Sequence, residues 1–194
     1  VGSVELDRVE AGLPRPASGQ RRGDLAACRR AGGSVLRSCL LHVLGDHAPA
    51  GSCTRDRVDV DAEFACPVLQ DVQHRLFDLG GALCMAGPMD AHVMSLLQDR
   101  TAQLERLMDQ WMTQQGPLEE FILPGGARAA ALLHLARCHV RIAEQKVTTL
   151  HREQPLNPEA MQYLNRLSDA MFVMAREVNR RAAVPDVPWK PGSA

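Results

Sequence analysis

Residues 121–179 constrain the fold most, because they hold two long helical periodicities joined by a short polar connection with prolines at Pro155 and Pro158. In the first, Ala129, Leu132, Ala136, Val140, Ala143, Val147 and Leu150 recur at three- and four-residue steps. That spacing puts them on one apolar face of a long helix. Arg137, Arg141 and Glu144 fall at i, i+4 and i+7, on a neighbouring stripe of the same helix. In the second, Ala160, Leu164, Leu167, Met171, Met174 and Val178 form the apolar face, and Asn165, Asp169, Phe172 and Arg176 make a separate stripe. Two long amphipathic helices with polar rows near their seam predict a helical bundle with a site on its flank.

The rest of the chain agrees with an all-α reading. Leu, Ala and Met supply most of the apolar surface and aromatics are 4% of residues, a mix that favours helices over strands. Val68, Leu69, Val72, Leu76, Leu79 and Leu83 predict a helix from Pro67 to about Met85, and Gly87-Pro88 marks a loop. A further helix carries Val93, Leu96, Leu97, Leu104, Leu107, Met108 and Trp111 and ends at Gly116-Pro117. Gly125 and Gly126 permit a sharp turn before the next helix and release its first amides to a neighbour. Asn157 reads as the N-cap of the last helix, with Pro158 at its first position. The methionines read as core and gap fillers.

Residues 1–65 differ in character: rich in Arg, Gly, Ala and Cys, without lysine, and periodic only at Val35, Leu36, Cys39, Leu40, Val43 and Leu44. They read as an irregular segment, 66–189 as the bundle and 190–194 as a tail. The Arg15, Arg21, Arg22, Arg29, Arg30 cluster lacks interleaved aromatics for base stacking and reads as a solvated arm. Asp56, Asp59 and Asp61 read as an exposed acidic turn, since the glycine and final glutamate of a calcium loop are missing.

A net charge of −1 gives no overall field toward nucleic acid or anionic lipid, so neither is expected as a partner. Six cysteines without a CxxC pair suggest reduced thiols and a cytoplasmic protein. No apolar run approaches the ~18 residues of a membrane span. His134, Cys138 and His139 could supply half of a zinc site, but further ligands at short range are absent and no metal centre is expected. Ser168-Asp169 lacks the turn that presents a nucleophile.

The segment FILPGG at 121–126, then LHLAR, VRIAEQ and YLNRLSDAMFVMAR, together with QHRLFDLGG at 73–81 and the closing DVPWK, resembles the PduO-type ATP:cob(I)alamin adenosyltransferases. The resemblance runs from about Leu69 to about Trp189. It implies a ferritin-like, up-and-down five-helix bundle that assembles as a homotrimer with ATP at a subunit interface. It also implies transfer of the 5′-deoxyadenosyl group of ATP to the cobalt of reduced cobalamin, with Mg²⁺ and the release of triphosphate. On this resemblance Arg141, Ile142, Ala143, Glu144 and Gln145 line ATP, Asn165 contacts the nucleotide, Arg137 anchors the site and Phe121 faces the corrin. From spacing alone, the charged stripe reads first as a solvated ion-paired face and Phe121 as a core aromatic closing the bundle end.

The sequence departs from the family pattern at its start. The T-K-T-G-D-x-G-x-T loop and the D-E-L-N helix of similar enzymes do not occur in 1–65, and Ile142 and Gln145 stand where arginines are common. One account is that 1–65 is coding sequence read in a shifted frame. A second is a catalytically impaired paralogue that keeps the bundle as a corrinoid-binding scaffold. A third, in another class, is a helical interaction module whose basic arm meets an acidic partner.

Overall fold

The computed structural model describes residues 60–84 and 90–192. The helix expected at 35–44, the arginine arm, Asp56 and Asp59, the loop at 86–89, Met85 and Met89 lie outside the described residues. A 3-10 turn, Val60–Ala65, leads into four helices: α1 (Cys66–Cys84), α2 (Ala91–Gln115), α3 (Arg128–Glu153) and α4 (Pro158–Arg181). No strand forms among the described residues. A single antiparallel bridge there pairs Ile122 with Pro188. The architecture is the all-α bundle that the periodicities predict.

Side-chain pairs fix the helix directions. Glu144 meets Asn165 while Ala127 meets Asn179, so α3 and α4 run antiparallel. Arg166 meets Glu105 while Arg180 meets Gln114, so α2 and α4 run parallel. α4 packs against both α2 and α3 and is the central helix. Its predicted face, Ala160 to Val178, is buried throughout, and so are Tyr163, Ser168, Ala170, Val173, Ala175, Glu177 and Asn179. A helix buried on so many sides needs small residues at its close contacts, which Ala170, Ala175 and Ser168 supply.

Three local expectations need correction. On α3 the buried series begins at Ala130 and Leu133, with Ala129 and Leu132 only half-buried, because the steps to Ala136 are both three residues. Met112 is 44% exposed and fills no gap in the core. Asn157 stands at the N-cap of α4, but its side chain makes no capping bond, whereas Asp90 at the start of α2 accepts from the His92 amide at 2.7 Å. Asn157 leaves that work to the fixed backbone angle of Pro158.

At the C-terminal end of α4, Glu177 is fully buried and accepts hydrogen bonds from Arg180 and Arg181. Burial alone would raise its pKa, but those bonds hold the carboxyl below the usual glutamate range. The Arg181 guanidinium also lies 3.9 Å over the Phe64 ring, which meets Trp111 edge-on. The 3-10 turn is therefore tied to the ends of α2 and α4.

Candidate functional site

Glu144 lies on the flank of α3 beside the buried face. Its Oε2 accepts from Arg141 Nη1 at 2.8 Å and its Oε1 accepts from Asn165 Nδ2 at 3.0 Å. The antiparallel pairing of α3 and α4 brings Asn165 there across the seam. Glu144 and Asn165 line an open groove of about 480 Å³ with Thr101, Glu105, Met161, Gln162 and Arg166. On the far wall Arg166 Nε donates to Glu105 Oε1 at 2.9 Å and its Nη1 to Asp169 Oδ2 at 3.3 Å. Carboxylates that hold guanidiniums by directed, charge-assisted bonds present oriented donors to an anion.

Of the five consecutive residues expected to line ATP, only Glu144 lines this groove, with Arg141 joined to it. A helix turns about 100° per residue, so a run of five cannot share one face. Ala143 is 1% exposed and its side chain faces the core. Ile142 and Gln145 are exposed and do not line the groove. Arg137, one turn before Arg141, is half-buried, with its guanidinium 5.5 Å from the centre of the Phe172 ring. Beneath it the buried His134 meets Phe172 edge-on at 6.0 Å. Burial, and then the neighbouring Arg137, push this imidazole below its ordinary range, against a smaller pull from Asp186. It is neutral at pH 7. Cys138, by contrast, is exposed, and among the described residues no three His, Cys, Asp or Glu side chains form a metal-binding group.

Phe121 lies at the other end of α3, 79% exposed, so it closes no core. Its segment pairs with the C-terminal tail: the Leu123 amide donates to the Val187 carbonyl and the Trp189 amide to the Phe121 carbonyl. The Trp189 ring meets Phe121 edge-on at 6.4 Å. One buried side chain organises this region. Asn179 Oδ1 accepts from the Ala127 amide at 2.9 Å, and its Nδ2 donates to the Gly125 carbonyl and to Asp186 Oδ1. Asp186 Oδ2 in turn accepts from Arg176 Nε at 2.9 Å. Gly126 sits at φ 96 against the Asn179 side chain, and a Cβ there would collide with it. Asn179 and Asp186 were not singled out by the sequence. Its only hint was the glycine pair that leaves the first amides of α3 in search of a neighbour.

A second, smaller cavity of about 150 Å³ lies between α1 and α2, lined by Val72, Leu104 and Arg100 among others. The fully buried Tyr163 also borders it, and its hydroxyl has no hydrogen-bond partner among the described residues.

The sequence model of the cobalamin adenosyltransferase family matches residues 49–178. A corrinoid adenosyltransferase of Bacillus subtilis is 38% identical over 122 residues, covering 63% of this chain and 62% of that protein. A cobalamin adenosyltransferase of Cupriavidus metallidurans is 42% identical over 122 residues, covering 63% of this chain and 64% of that protein. The chain thus spans a little under two thirds of the length of these relatives. Among solved structures, a phenylalanine-to-alanine variant of a PduO-type ATP:corrinoid adenosyltransferase from Lactobacillus reuteri, complexed with cobalamin and ATP, superposes with a TM-score of 0.71 at 28% identity. It covers 84% of this chain and 86% of its own. An arginine-to-lysine variant of the Lactobacillus reuteri enzyme, complexed with ATP, gives 0.69 at 26% identity, covering 84% and 87%. Well over half of the sequence fits the family and the bundle superposes on its solved members: the chain belongs to the cobalamin adenosyltransferase family.

Proposed function

We propose that this protein transfers the 5′-deoxyadenosyl group of ATP to the cobalt of a reduced corrinoid. The observation that carries this reading is the bond from Asn165 to Glu144 and from Arg141 to the same carboxylate, on the wall of an open groove. In the reaction the cobalt(I) electron pair attacks C5′ of the ribose, the C5′–O bond breaks, and triphosphate leaves with that bond's electrons. No protein nucleophile is needed. The chain's part is to position the two substrates and to meet the charge that gathers on the leaving triphosphate. Arg141, held by Glu144, is the donor for that charge, Asn165 fixes the nucleotide, and Arg137 steadies the stretch of α3 between groove and Phe121.

Mg²⁺ belongs to this reading as a companion of the triphosphate. Such an ion takes one or two carboxylates plus substrate phosphates and water, and Glu144 fits that part. The exposed Phe121, beside Trp189, supplies an apolar wall for the corrin, which excludes water from the cobalt's lower face. Assembly as a homotrimer fits the exposed Leu135 and Ile142, one heptad apart on α3 next to Arg141. Work in the cytoplasm fits the exposed thiols at Cys84 and Cys138.

An anaerobic assay with reduced cobalamin and MgATP tests the reading, following loss of the cobalt(I) absorbance and release of triphosphate. The expected result is stoichiometric adenosylcobalamin and triphosphate. Binding of cobalamin without turnover would replace the reading with that of a corrinoid-binding scaffold.

A further inference from the structure

We infer that Arg166 is a second phosphate-binding arginine of the groove, on the wall opposite Arg141, and that Glu105 holds it ready and competes with the ligand for it. This rests on the reading of the groove as the ATP site and goes beyond it by naming the residue that meets the polyphosphate from the α2–α4 side. Arg166 lines the groove with Glu105, Gln162 and Asn165. Its guanidinium spends Nε on Glu105 and one Nη1 hydrogen on Asp169, and its Nη2 edge makes no bond among the described residues.

The partners are weakly bound. Arg166, Glu105 and Asp169 are 46%, 49% and 48% exposed at their side chains, and ion pairs so open to water contribute little. A polyphosphate offers several charged oxygens to the same guanidinium, with bidentate geometry, and can displace them. The charge balance of the groove gives the second half of the argument. Its lining carries two carboxylates, Glu105 and Glu144, and one guanidinium, Arg166. Arg141 adds a second cation through Glu144. A triphosphate placed there without Arg166 would face two carboxylates with one arginine to offset them. With Arg166, each wall presents a guanidinium held by a carboxylate, Arg141 by Glu144 and Arg166 by Glu105. Replacing Glu105 by a neutral side chain leaves Arg166 in place and removes a competitor, so the two members of one ion pair should act in opposite directions on anion affinity. A pair that merely braces α2 against α4 would act in one direction.

The test is titration calorimetry of the full chain with MgATP and, separately, with inorganic tripolyphosphate, on the wild type, Arg166→Gln, Arg166→Lys and Glu105→Gln, with denaturation midpoints recorded for each. The expected result is about a tenfold to hundredfold loss of affinity for both ligands in Arg166→Gln. Arg166→Lys should recover part of it, and Glu105→Gln should bind tripolyphosphate more tightly than the wild type. Unchanged affinity in Arg166→Gln, or a parallel loss in Arg166→Gln and Glu105→Gln, would overturn the assignment while leaving the ATP site intact. A wild type that binds neither ligand would overturn the reading of the groove itself, and the assignment with it.

Discussion

The two ends of the α3–α4 seam are built on opposite principles. At the end where the Phe121 segment pairs with the C-terminal tail, Asn179 is buried and meets three backbone or side-chain partners, and Gly126 fits against it with no room for a methyl group. At the groove end, Glu144, Arg141, Asn165, Arg166 and Glu105 meet through partly or largely exposed pairs with unused donor capacity. The first arrangement is over-determined, so each loss costs stability. The second is loosely held, so each loss costs binding. A site that must exchange its internal partners for a ligand belongs at the second kind of place, and the wall that it works beside belongs at the first.

The sharpest way to break that contrast is Gly126→Ala. A Cβ at a φ of 96 and in collision with Asn179 should lower unfolding stability by about 2–4 kcal/mol, read by urea denaturation. Asn179→Ala should follow at about 2–3 kcal/mol, because it leaves the Ala127 amide without its partner. If the two act through one contact, the double variant should cost less than the sum, and simple additivity would show that they are independent.

At the groove, Glu144→Ala should change stability by less than about 1 kcal/mol yet lower kcat/KM of adenosyl transfer by about tenfold to a hundredfold. A stability loss equal to that of Asn179→Ala would erase the distinction between the two ends.

His134 offers a smaller, pH-dependent test. Its folded-state pKa lies below that of the unfolded chain, so the unfolded state binds more protons as pH falls through the ordinary histidine range. Stability should therefore decline on acidification through the ordinary histidine range, and His134→Leu should flatten that slope. The smallest expected effect on folding is that of Phe121→Ala. A side chain 79% exposed should cost under about 0.5 kcal/mol, while corrin affinity or turnover falls.

The helices were legible because periodicity is a local property. The faces of α1 and α4 follow from residue spacing, whereas α2 buries Met94 with Val93, Leu96 and Leu107 only half-buried, and α3 differs in its first turn, where two consecutive three-residue steps shift the series by one. The stripe of Arg137, Arg141 and Glu144 was visible for the same reason. Its partition was not: Glu144 turns to the groove and Arg137 to Phe172, a choice made by α4. A contiguous motif also cannot say which of its members face inward, and the helical turn sends Ala143 to the core.

What the sequence determined by itself is the extent and main apolar faces of the four described helices and the glycine turn before α3, because these depend on spacing within a few turns and on backbone freedom at one residue. The tertiary structure alone decided the rest. It brought Asn165 to Glu144, set Arg166 and Glu105 across the groove, and placed Asn179 against Gly126 with Asp186 behind it. Each of these contacts joins residues from different elements or from a helix and a distant loop. They form only once α4 has packed against α2 and α3, and no local pattern encodes that.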